Sequence, residues 1–256
     1  MVSDTSSTGP NDGAEAIRKA ATPERPKRFY KEALCVPTAC GFALQLDSRA
    51  ARTPARNPLE VPFEAVTEAM AAEWAAQDSH IFPETMPVTR LANSIIDGVL
   101  DRKTEVADVI AEFAGTDLLC YRADTPEGLV QKQNTAWNPV LDWVADTFGA
   151  RPVLIEGIMH QSQPPQMLAA IRQHLVSLDG YTVGALHVVT TLTGSVFLAM
   201  SLHARVLTAD QVWDAAHVDE DWQFQAWGSD AEAMERRAKR RQDFDAASLF
   251  IDVAGA

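Results

Sequence analysis

Asp219-Glu220-Asp221 sets three carboxylates side by side. Close carboxylates push one another's pKa apart, which is how a chain prepares a general acid next to a general base. Consecutive residues on a helix point in different directions, however, so the run reads as a solvated acidic face that can still bind a basic partner surface. A second polar group, Asp117, Tyr121, Arg90 and Glu73, would support hydrolase or transferase chemistry if the fold gathered it into one pocket. Six histidines, at 80, 160, 174, 187, 203 and 217, lack ligand spacing, and Cys35 and Cys40 have no second cysteine pair to complete a zinc site, so no metal is expected. His187 and His203 fall in an apolar stretch, where a buried, hydrogen-bonded neutral imidazole is the plainer reading and a catalytic base the sharper one. The sequence has no phosphate loop, no dinucleotide fingerprint, no His-Glu-x-x-His and no Gly-x-Ser-x-Gly elbow, so neither ATP nor another cofactor is called for.

The aromatic and basic residues have packing and solvent-face readings beside binding ones, the basic run of the last helix being either a salt-bridged face or a docking surface for an acidic patch. Trp222 and Trp227 share a short segment with Glu220, Gln223 and Gln225, the mixture found at interface hot spots, although a buried helix-joining corner would use the same residues. Trp137 and Trp143 belong to the core stripe of Leu129, Val140, Leu141, Val144 and Phe148. The basic run Arg236, Arg237, Lys239, Arg240 and Arg241 follows Glu232 and Glu235 at four-residue spacing and precedes Asp243 and Asp245, so it reads as a salt-bridged helix face.

The elements that position these groups change character along the chain. Met1 to Pro26 has neither an apolar run nor a regular period, which predicts a disordered arm. Phe29–Val36 and Gly41–Asp47 then read as strands, the second with Phe42, Leu44 and Leu46 alternating, and Arg49–Thr53 and Leu59–Val61 as shorter ones. Phe63, Val66, Met70 and Trp74 start a helical period that covers the sheet and ends near Ser79. Helices are predicted over Val88–Leu100, Lys103–Gly115, Pro126–Phe148 and Pro165–Leu178, with Thr125 as an N-cap and Pro126 at the first helical position. No formal charge occurs between Asp179 and Arg205, but Thr193-Gly194-Ser195 splits the run, so it predicts a buried helical hairpin and not a membrane span. Capping boxes at Thr208-Ala209-Asp210-Gln211 and Ser229-Asp230-Ala231-Glu232 place the last helix starts. The layout is α+β: a small N-terminal antiparallel sheet with a covering helix, residues 27–86, followed by a larger multihelical domain, residues 87–256.

The 256 residues can bury a sizeable core unaided. With 22 basic and 35 acidic residues the net charge is −13, which disfavours nucleic acid and anionic lipid as partners. Cys35, Cys40 and Cys120 fit a reducing compartment, and the acids of the arm speak against an organellar leader, which together predict a bacterial cytoplasmic protein.

Several segments in order resemble one family. They are Arg28-Phe29-Tyr30-Lys31, Leu46-Asp47-Ser48-Arg49 with Thr53-Pro54, Glu73-Trp74-Ala75-Ala76-Gln77, Met86 to Leu91, Gly115 to Arg122, Gln133 with Trp137-Asn138-Pro139, and Trp227-Gly228. From about Arg28 onward the chain is similar to the assembly chaperones for the catalytic head of F-type ATP synthase that escort the alpha subunit. The resemblance implies a non-enzymatic, ATP-independent protein, monomeric when free, that holds the free alpha subunit by a surface beta later covers. It points to Glu220, Gln223 and Trp227 as contact residues within the block Asp219 to Gly228, where Trp222 replaces an expected smaller aromatic. Glu73, Trp74, Arg90, Asp117 and Tyr121, with Met86 and Thr89, would then form a polar network, either binding or joining the two portions. An adaptor for another complex is a third reading.

Overall fold

The computed structural model describes residues 25–157, 159–228 and 230–255. Most of the expected arm, residues 1–24, lies outside them, but its last two residues are tied down. Arg25 pairs with Glu84 at 2.8 Å, and the Pro26 carbonyl accepts from Ile81 N–H.

The N-terminal portion is the antiparallel sheet that the alternation predicts. β1 (Ala33–Pro37) and β2 (Phe42–Leu46) form a hairpin, and β3 (Arg49–Ala50) and β4 (Glu60–Val61) share the other edge of β2. Leu44 and Leu46 turn inward beneath α1 (Glu64–Ala75), which buries Val66, Met70 and Ala71 against them.

The helical portion begins with α2 (Pro87–Ser94), which runs on through a π turn (Ile95–Val99) and a 3-10 turn (Leu100–Arg102) to Arg102, whose non-helical backbone (φ −126°, ψ 29°) caps α3 (Lys103–Glu112). The division into two helices just before Lys103 is the expected one, with the first ending in π and 3-10 turns. After a 3-10 turn at Leu118–Cys120 come β5 (Tyr121–Arg122), α4 (Glu127–Phe148), β6 (Ile155–Glu156) and α5 (Pro165–Ser177). β5 and β6 pair in parallel, a two-residue sheet the sequence reading did not foresee. Thr125 is not the cap of α4: Pro126 itself holds the N-cap position in extended conformation, and the Thr125 hydroxyl turns to Asp124.

The uncharged stretch folds as the expected hairpin, α6 (Gly180–Thr193) and α7 (Val196–His203). Gly194 takes the left-handed conformation (φ 69°) that ends α6, and Ser195 caps α7 through Leu198 N–H. His187 and His203 are half-buried in it, not fully enclosed, and burial lowers the pKa of both rings. α8 (Ala209–Ala216) starts with the Thr208–Gln211 capping box, α9 is Val218–Trp227 and α10 is Ala231–Ala254. Ser229 lies outside the described residues, and the cap of α10 is Asp230, which accepts from Ala233 N–H. The basic run on α10 is paired as read, Arg236 with Glu232 and Lys239 with Glu235. The three cysteines are free. One continuous core runs from Tyr30 in the sheet portion to Ile251 in α10.

Candidate partner-binding surface

α9 buries none of its residues, so something other than an apolar stripe must hold it. One anchor is Trp222, whose ring lies on the first turn of α4 so closely that a Cβ added to Gly128 would stand 2.7 Å from it. Glycine is required there by approach, not by backbone angle. Lys132, one turn along α4, covers the same ring at 5.5 Å and donates to the Gln225 side-chain oxygen at 3.0 Å.

The acidic run supplies the other anchors, and it is less solvated than the sequence suggested. Asp219 accepts from the Gln133 amide at 2.7 Å, and Gln133 in turn accepts from Ala123 N–H. Asp221 pairs with Arg237 of α10, and that hydrogen bond raises the guanidinium pKa. Glu220, half-buried, stands 3.7 Å from His217 Nε2 and 3.9 Å from Arg237. His217 joins α8 to α9, gives its Nδ1 proton to the Trp213 carbonyl at 2.7 Å, and stacks on the Trp213 ring. Burial lowers its pKa and so favours the neutral ring. Asp219 thus faces Gln133, Asp221 faces Arg237, and Glu220 lies between His217 and the same Arg237, with no carboxylate bonded to another.

What this frame presents to solvent is the far end of α9. Trp227 is 88% exposed, Gln223 one turn earlier is exposed, and Gly228 ends the helix. A concavity of about 310 Å³ beside Gln223 is lined by Tyr121, Arg122 and Asp219. A larger one of about 790 Å³ on the other flank of Trp222 is lined by Lys132, Pro139, Leu207 and Gln225.

Glu220, Gln223 and Trp227 thus lie along one helix, with Tyr121 across a groove from Gln223. The Tyr121 hydroxyl lies 3.5 Å from His160 Nδ1, next to Met159, which is 76% exposed. The remaining polar residues are elsewhere. Glu73 accepts from Val88 and Thr89 N–H at 2.7 and 2.8 Å, placing a negative charge on the N-terminus of α2 and so tying the sheet portion to the helices. Its burial raises its pKa against those bonds. Trp74 packs edge-on to Tyr30, and its carbonyl accepts the Tyr30 hydroxyl proton. Arg90 forms a surface pair with Asp243 at 2.5 Å.

Asp117 is fully buried. Its carboxylate accepts from Leu119 N–H, Ser195 hydroxyl and Phe197 N–H at 3.0, 3.0 and 3.1 Å, joining the 3-10 turn to the start of α7. Burial, opposed by these donors, lifts its pKa to about 7. Asp117, Tyr121, Arg90 and Glu73 therefore do not meet in one pocket, which removes the arrangement a hydrolase or transferase would need. The described residues hold no group of three or more His, Cys, Asp or Glu placed for a metal, and no described helix is long and apolar enough to cross a membrane.

Lys132 and Met159 belong to this surface but were not singled out from the sequence. Lys132 has the look of an ordinary polar position on a helix, and Met159 sits in a segment without periodicity.

An exposed aromatic end on a helix held from behind is the anatomy of a protein-docking surface. Comparisons with known proteins give the family. Residues 27–145 match the family described as ATP12 chaperone protein. The structure is similar to the Atu1473 protein of Agrobacterium tumefaciens, at 41% identity over 96% of this chain and 92% of that one, with a TM-score of 0.84. It is similar also to Atp12 of Paracoccus denitrificans, at 35% identity over 90% of this chain and 98% of that one, with a TM-score of 0.82. A point mutant of the Paracoccus protein gives 0.81. The chain belongs to the ATP12 chaperone family.

Proposed function

We propose that this protein is the assembly chaperone of the alpha subunit of F-type ATP synthase, binding the free subunit through Glu220, Gln223 and Trp227 and releasing it to beta without using ATP. A subunit made for an alternating ring exposes half-interfaces when alone, and such patches aggregate unless transiently covered. A modest, partly polar contact suits that task, because beta must be able to displace it. The observation that carries the reading is Trp227, 88% exposed at the tip of an otherwise anchored helix in a chain of this family. Its acidic flank, with Glu220 only half-covered, favours a basic rim on the client. We place its action in the bacterial cytoplasm, as a monomer, with no nucleic-acid partner.

Size-exclusion chromatography of the full chain with purified alpha subunit, with and without beta and without nucleotide, tests this. A complex that forms and is dissolved by beta supports it. Trp227→Ala and Glu220→Lys are each expected to weaken the complex by about tenfold or more, the effect of a hot-spot residue, with helical circular dichroism unchanged. Separate elution, with no slowing of alpha aggregation, would refute the proposal.

A further inference from the structure

The sheet ends in an edge whose hydrogen-bonding direction follows from its register. Ala33 stands opposite Leu46, Cys35 opposite Leu44 and Pro37 opposite Phe42. Asp47 N–H donates to the Glu32 carbonyl at 2.9 Å, and Thr38 N–H to the Gly41 carbonyl at 2.8 Å. Bonded and non-bonded positions alternate in an antiparallel pair, so Glu32, Leu34, Val36 and Thr38 turn their main-chain groups toward β2 while Ala33, Cys35 and Pro37 turn theirs away. The far side of β2 is already taken: Leu44 N–H donates to Leu59, and its carbonyl accepts from Ala51. Among the described residues nothing bonds the main-chain N–H or C=O of Ala33 or Cys35.

The two faces beside this edge differ in chemistry. Cys35 turns toward α1, where the exposed Glu64 and Glu68 lie close enough to reinforce the rise that burial gives its thiol pKa. Leu34, on the opposite face, is 47% exposed, with Val36 half-buried beyond it. Sheet edges are commonly guarded by lysine, proline or a bulge, but within Ala33–Pro37 only the last residue plays such a part.

We propose that β1 is a strand-addition site that takes an extended segment of another protein chain in which basic and apolar side chains alternate. Such a strand would gain four main-chain hydrogen bonds from Ala33 and Cys35. Its period of two would set the basic side chains toward Glu64 and Glu68 and the apolar ones toward Leu34 and Val36. The site uses no residue of α9 and does not depend on the alpha-subunit reading.

Hydrogen exchange of the full chain, followed by NMR during titration with the peptide acetyl-(Val-Lys)₃-Val-amide, tests the proposal. The Ala33 and Cys35 amides are expected to exchange fast in the free protein and to slow at least about tenfold at saturation, while those of Leu34 and Val36, already bonded to β2, change little. The double variant Glu64→Lys, Glu68→Lys, at two exposed positions, should weaken binding about tenfold, and a peptide with Glu in place of Lys should not bind. Three results would overturn the proposal: no binding of the Val-Lys peptide, binding that leaves Ala33 and Cys35 exchanging fast, or slow exchange of both before peptide is added, which would mean that this chain or a second copy already fills the edge.

Discussion

Replacing Asp117 with Asn keeps the shape of a fully buried side chain and removes its ability to ionise. With its pKa lifted to about 7 from an ordinary 3.8, the folded state binds a proton more tightly than the unfolded state. Between those two values folding takes up a proton, so the contribution of this group to stability falls as pH rises from 4 to 7 and levels off above. Linkage from the two pKa values gives a loss of about 2 to 3 kcal/mol between pH 5 and pH 8. The Asn variant has no such slope. At pH 5 the neutral acid turns one O–H, and the amide one NH2 group, toward the donors of Leu119, Ser195 and Phe197, so the two proteins should differ by about 1 kcal/mol. At pH 8 the balance should have moved by about 2 to 3 kcal/mol in favour of Asn. Urea unfolding of both proteins at the two pH values measures the difference, in which every other titrating group cancels. A difference that does not change with pH would refute the reasoning, and would mean that the three donors hold Asp117 ionised throughout.

Other predictions follow from single contacts. Glu73→Ala leaves Val88 and Thr89 N–H without their acceptor and should cost about 2 kcal/mol in urea unfolding. Gly128→Ala forces the Trp222 ring away from α4, so tryptophan emission should shift to the red and alpha-subunit binding should weaken while the bulk of the helical signal stays. Because one core joins the sheet and helical portions, calorimetry should record a single unfolding transition and not one for residues 27–86 and another for 87–256.

What the sequence disclosed was what neighbouring residues decide. Leu44 and Leu46 alternate with polar or small residues, Gly194 interrupts a run without charges, and Thr208 and Gln211 cap each other within one turn; each of these was legible and each is found. The cap of α4 moved from Thr125 to Pro126, and the cap of α10 fell on Asp230, because the fit of incoming chain to neighbouring elements picks among adjacent candidates. β5 and β6 escaped notice because each has two residues and finds its partner 34 positions away. The candidate site was half legible. The family resemblance pointed to Glu220, Gln223 and Trp227, but the covering of Trp222 depends on Gly128 and Lys132, far back in the chain. Asp117 shows the same limit, since its partners Ser195 and Phe197 lie 78 and 80 residues on.

The last helix described, α10, packs against α1, α2 and α6 and buries Phe244, Phe250 and Ile251 in its second half. During synthesis, the sheet, α2 and the uncharged hairpin leave the ribosome before the element that closes over them. Their apolar faces stay open until translation has passed residue 251, so the protein that shields another chain's surfaces has, for most of its own synthesis, the same exposure to manage.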